Sequence, residues 1–178
     1  MKKKRIASRG FSLIELMIAT LVLSIGLVGG AAVISAAIAN NGRARFDTTA
    51  TALAESTMER IVAIPSRATG VGANTSLTDC AGTVFPISTA LGGAPLIAQG
   101  PFAGSVDFSQ APLPNYSMTY AVCSSNTVIR YDIRWRIDPG PTPFTQVVTV
   151  AVKNVGAGTQ GGRRFALPVR LRTIRGAF

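Results

Sequence analysis

The chain has no histidine, which removes the commonest general base and metal ligand from consideration. Its eight acidic residues are scattered singly among eighteen lysines and arginines, so no pair of carboxylates marks an acid–base or metal site. A Walker loop, a Gly-x-Ser-x-Gly elbow and a Cys-x-x-Cys motif are missing as well. These absences point away from an enzyme and imply no cofactor and no metal. The most telling absence is local. From Leu16 to Gly42 there is no charged side chain, a run of 27 residues. As a helix that run reaches roughly 40 Å, enough to cross a hydrocarbon core about 30 Å thick. A core helix of a small soluble domain is seldom apolar for so long, so the run predicts a membrane span.

The formal charge of +10 is unevenly placed. Lys2, Lys3, Lys4, Arg5 and Arg9 all precede the apolar run, the excess that holds a flank in the cytoplasm while the rest crosses. Without those five the chain carries only +5, a moderate attraction for nucleic acid. Cys80 and Cys123 lie beyond the span, which puts them in the periplasm or outside the cell, where disulfides persist. A bridge would close a 43-residue loop; two free buried thiols are the alternative.

A secretory signal peptide also begins basic and turns apolar. Its apolar stretch is only about 7–15 residues, however, and no small-x-small cleavage site ends this one. A plain single-span anchor does not explain Glu15, five places into the apolar stretch that starts at Phe11. An acid at membrane depth costs on the order of 3 kcal/mol and is a functional candidate.

The string Arg9-Gly10-Phe11-Ser12-Leu13-Ile14-Glu15 resembles the class III leader junction of type IV prepilins and type II secretion pseudopilins. The resemblance is close over about the first 30 residues. It implies that a prepilin peptidase cuts between Gly10 and Phe11 and N-methylates Phe11. It also implies that the Glu15 carboxylate attracts the Phe11 amine of a neighbouring subunit and sets the axial register of a growing filament. The alternative for Glu15 is that it snorkels to the interface from the first turn. Gly26 and Gly30 form a small-xxx-small pair that lets helices approach closely, or are ordinary membrane-helix glycines.

Beyond the span, Phe46, Ala50, Leu53, Thr57, Ile61 and Ile64 continue at helical spacing, and Pro65 ends the helix. The expected layout is a leader over 1–10 and a helix over 11–64, with membrane or filament core 11–42 and amphipathic part 43–64. A head over 65–178 follows, with a loop region 66–115 and an antiparallel sheet 116–174. Val84–Ser88 is a short strand within the loop, and Ser117–Cys123 is the first good one. Val128–Ile137 alternates apolar and charged without exception, one face packing on the helix and the other facing water. Phe144–Lys153 and Arg163–Thr173 complete the sheet. The fold class is α+β, a long membrane-spanning helix packed on a small antiparallel sheet, the pilin ladle.

Arg130, Arg134 and Arg136 share a strand face, and Arg163, Arg164, Arg170, Arg172 and Arg175 crowd the C-terminus. Such a basic surface suits DNA phosphates or acidic faces of neighbouring pilins. No aromatics interleave to stack bases, and alternating arginine also solvates a strand. Leu21–Gly29 and Ala52-Leu53-Ala54-Glu55 resemble minor pilins of the pilus-modification type and a related tip pseudopilin. The implied function is that of a minor type IV pilin. A type II secretion pseudopilin and a DNA-binding minor pilin are the alternatives. Implied partners are other pilins, prepilin peptidase and the inner membrane, with the head periplasmic and later part of a pilus or pseudopilus.

Overall fold

A computed structural model describes residues 11–64, 75–124, 127–142, 144–155 and 167–176. The leader with Gly10, and the expected site residues Arg163 and Arg164, lie outside the described residues. One helix, α1 (Leu13–Val62), is followed by seven strands. The chain divides into two compact units, Met1–Ala44 and Arg45–Phe178.

In the first unit α1 runs unbroken through Gly26, Gly29 and Gly30. Its few hydroxyls do not interrupt it, because each turns back onto the helix. Thr20 donates to the Met17 carbonyl at 3.0 Å, Ser24 to Leu21 at 2.8 Å and Ser35 to Ala31 at 2.9 Å. The segment can therefore be polar in composition at three points and still present an apolar surface. Nothing in the unit covers that surface: Leu13, Ile14, Leu16, Leu21, Leu27 and Ile38 are all exposed.

The second unit holds the rest of α1 against a sheet. Ala50, Ala54, Thr57 and Ile61 are buried at three- and four-residue steps, with Leu53 and Met58 partly covered beside them. The sheet contains β3 (Gly92–Gly93), β4 (Ser117–Ser124), β5 (Thr127–Pro139), β6 (Thr145–Asn154) and β7 (Val169–Gly176). β4, β5, β6 and β7 form an antiparallel meander, and β3 pairs with the end of β5 that β4 leaves open. A separate hairpin joins β1 (Ser76–Thr78) to β2 (Val84–Pro86). Two Asp79 bonds shape its turn, with the carboxylate accepting from the Ala81 and Thr83 amides at 3.0 and 2.8 Å.

The alternation of β5 sets the core. Tyr131, Ile133, Trp135 and Ile137 are buried on the helix side, with Val148, Val150 and Val152 of β6 directly opposite the last three. Trp135 is fully buried, worth on the order of 3 kcal/mol, and its Nε1 donates to the Ser88 carbonyl at 2.9 Å.

Three expectations need correction. The stretch 66–115 holds the expected strand at β2 but also β1 and β3, with a bridge between Leu96 and Val106. β3 escapes sequence reading because it is two glycines. A Cβ on Gly93 would sit 2.5 Å from the Trp135 carbonyl oxygen, so only glycine lets the backbones approach. Second, the far face of the sheet does not simply face water. Ala94 and Val106 bury against Ala151 of β6, with Leu96 and Phe108 beside them. Third, the described last strand begins at Val169 and continues through Arg175 to Gly176, rather than ending at Thr173.

Candidate functional site

Two groups of residues stand out, one in each unit. In the first, Phe11 and Ser12 precede the helix and Glu15 sits in its first turn. Ser12 caps the helix: its Oγ accepts from the Glu15 amide at 3.3 Å, and its carbonyl accepts from Glu15 and Leu16 at 3.1 and 3.2 Å. The pattern Ser12-x-x-Glu15 is a capping-box signature that the sequence itself carries. The helix begins at Leu13 and not at the expected residue 11, so Phe11 lies outside it. Glu15 and the helix N-terminus do fit each other, because the carboxylate lies at the positive end of the macrodipole. Between residues 11 and 42 Glu15 is the one ionisable side chain. A cationic amine brought to this turn would meet an acid with no competing protein charge nearby in sequence.

In the second unit three of the expected surface arginines, Arg134, Arg136 and Arg175, are engaged by the chain itself. Arg134 is 4% exposed. Its guanidinium meets Asp132, with Nη2 2.8 Å from Oδ2, and its Nη1 donates to the Gln110 and Asp107 carbonyls at 2.8 and 3.2 Å. It also lies 5.0 Å over the Phe108 ring. Arg134 thus fastens the 94–110 segment to the sheet. In that segment Asp107 accepts from the Ser109 hydroxyl and amide, which holds its carboxyl below the usual aspartate range. Arg136 pairs with Asp138 at 2.7 Å, and Arg170 donates to Ser105 Oγ at 2.8 Å.

Arg175 is 3% exposed and stands on the opposite face from Arg170 and Arg172. Its Nη1 donates to the carbonyls of Ile61 at 2.8 Å and Ile64 at 3.2 Å, its Nη2 to Thr89 at 2.8 Å, and its Nε to Gln146 at 2.8 Å. Burial lowers its pKa, yet a guanidinium stays charged at neutral pH. The charge meets the negative end of α1, whose last carbonyls need donors. Parity was the available signal: Val169, Leu171, Thr173 and Arg175 are odd-numbered and share the core side, whereas Arg170 and Arg172 are even. Of the six described arginines among those expected at a contact surface, Arg130 and Arg172 are exposed without a bond described above.

Cys80 and Cys123 form a disulfide that ties the β1–β2 hairpin to the end of β4. Among the described residues no group of His, Cys, Asp or Glu is arranged to hold a metal ion.

No curated protein and no solved structure shows significant similarity to the chain. Residues 5–31 match the family model described as the prokaryotic N-terminal methylation motif. That match covers Arg5 and Arg9 of the basic flank, the Gly10-Phe11 junction, Glu15 and the first half of the apolar run; the chain carries the leader of type IV pilins and pseudopilins.

Proposed function

We propose that the chain is a minor type IV pilin, a structural subunit rather than an enzyme, anchored in the inner membrane before it joins a filament. The observation that carries this reading is the pairing of the leader motif with an uncovered apolar helix. α1 is long and apolar enough to cross a membrane, and none of its most apolar window is buried by the chain itself. Such a surface needs lipid or neighbouring helices of the same kind. Filament assembly supplies the second after the first.

Processing follows from the same end of the molecule. Prepilin peptidase cuts after Gly10, and Phe11 becomes the methylated N-terminus. Because Phe11 and Ser12 precede the helix, the new amine sits on non-helical backbone, free to turn toward a neighbour. Glu15 of the adjoining subunit receives it. In low dielectric either charge alone is costly, so the pair favours one axial register. A type II secretion pseudopilin would share all these steps, and the operon neighbourhood separates the two. DNA binding is disfavoured by the burial of Arg134 and Arg175.

Intact-mass analysis tests the reading. Protein from a host with a prepilin peptidase should begin at methylated Phe11. A mature terminus inside the 30s, where signal peptidase would cut, overturns it.

A further inference from the structure

β7 is the outer strand of its sheet, and among the described residues its ladder is with β6 alone. In antiparallel strands successive residues turn their N–H and C=O groups to alternate sides, so about half of this backbone points outward. The two flanks of the open edge differ. On the core side Val169, Leu171 and Thr173 are only partly covered; they end the rows Ile133–Val152, Trp135–Val150 and Ile137–Val148. On the far side Arg170, Arg172 and Ile174 are exposed. One more strand would cover the unfinished apolar rows with one set of its side chains. Its other set would lie beside two arginines.

The charge decides what that strand is. Two copies of β7 laid edge to edge would bring arginine rows together, and like charges opposite one another are destabilising. Nor does any other part of this chain suit. Its eight acidic residues are never two positions apart, so no segment carries carboxylates in successive places on one strand face. We propose that the β7 edge docks an extended segment of a different protein, in which small apolar residues alternate with aspartate or glutamate. Backbone bonds supply the attachment, and Arg172, joined by the exposed Arg170 that Ser105 holds in place, selects the acidic face. The same arginines that blunt the edge against self-pairing give it its partner. The proposal does not depend on the filament role.

The test uses the full chain in detergent micelles at low salt and a fluorescent nine-residue peptide alternating valine with glutamate. The expected result is saturable binding, with slowed amide hydrogen exchange along β7. A peptide with lysine in place of glutamate should not bind. Arg172→Glu should weaken binding roughly tenfold, because an attractive cross-strand pair becomes a repulsive one. Arg130→Glu, exposed on β5 with β6 between it and the edge, should leave binding unchanged. Melting curves confirm that both variants are folded. The proposal fails if the peptide does not bind at millimolar concentration, or if it binds without protecting β7. It fails equally if both arginine variants weaken binding alike, or if duplex DNA binds through Arg172 while the peptide does not.

Discussion

Replacing Arg175 with alanine should destabilise the head more than any other single arginine change. The side chain is almost fully buried and serves four acceptors on three elements: the end of α1, the segment before β3, and β6. Alanine would remove a buried charge-assisted bond from each of the Ile61 and Thr89 carbonyls, at about 1–3 kcal/mol each, leaving Ile61 only the longer 3.4 Å bond from the Ile64 amide. Ile64 is partly exposed, and water can replace its donor. Relief of the guanidinium's own desolvation offsets part of the loss, since an unpaired buried charge is costly in itself. The net effect should be about 3 kcal/mol, or a drop in melting temperature of about 10 °C. Circular dichroism melts of the full chain in detergent read this directly. Arg175→Lys should fall between, because one ammonium cannot span acceptors that a planar fork reaches together. Arg172→Ala, on the exposed face, should stay within about 0.5 kcal/mol of the parent. If Arg175→Ala melts within 2 °C (roughly 0.5 kcal/mol) of the parent, the guanidinium contributes nothing net and the anchoring account is wrong.

Gly93→Ala should cost about 3 kcal/mol, since its Cβ would meet the Trp135 carbonyl oxygen at 2.5 Å and the residue holds a φ of 129°; chemical denaturation measures it, and an unchanged midpoint would show that β3 can move aside. Reducing the Cys80–Cys123 bridge should lower stability by roughly 4 kcal/mol on the chain-entropy model for a 43-residue separation. Paired melts with and without reductant decide that, and coincident curves would refute it. Glu15→Gln and Glu15→Leu should leave leader cleavage intact but cut incorporation into sheared filaments about tenfold, the equivalent of ~1.4 kcal/mol, while Glu15→Asp keeps part of it. Normal incorporation of both neutral variants at parental protein levels would remove the register role.

The apolar run and the alternation of β5 were legible because each states its environment residue by residue: lipid around one, a single buried face on the other. β6 carried a further message. Val147, Val148, Thr149, Val150, Ala151 and Val152 do not alternate, and all six are buried. A strand without a polar face must be covered on both sides, and the segment around Val106 and Phe108 supplies the second cover. That inference would also have warned that arginines across the ladder are not free. Arg134 is paired with Ala151 in register, and a cation under such a cover needs an acid and carbonyls, which Asp132, Asp107 and Gln110 provide. What no local pattern could give is the partner of a buried cation far along the chain. Arg175 finds the Ile61 carbonyl 114 residues away, and only the closing of the sheet on α1 brings them together. The periodicity of β7 states which side Arg175 faces; the unmet carbonyls at the end of α1 state what that side lacks. The C-terminal strand is therefore part of the helix's cap, so truncation before Arg175 should free the end of α1 as well as the sheet edge.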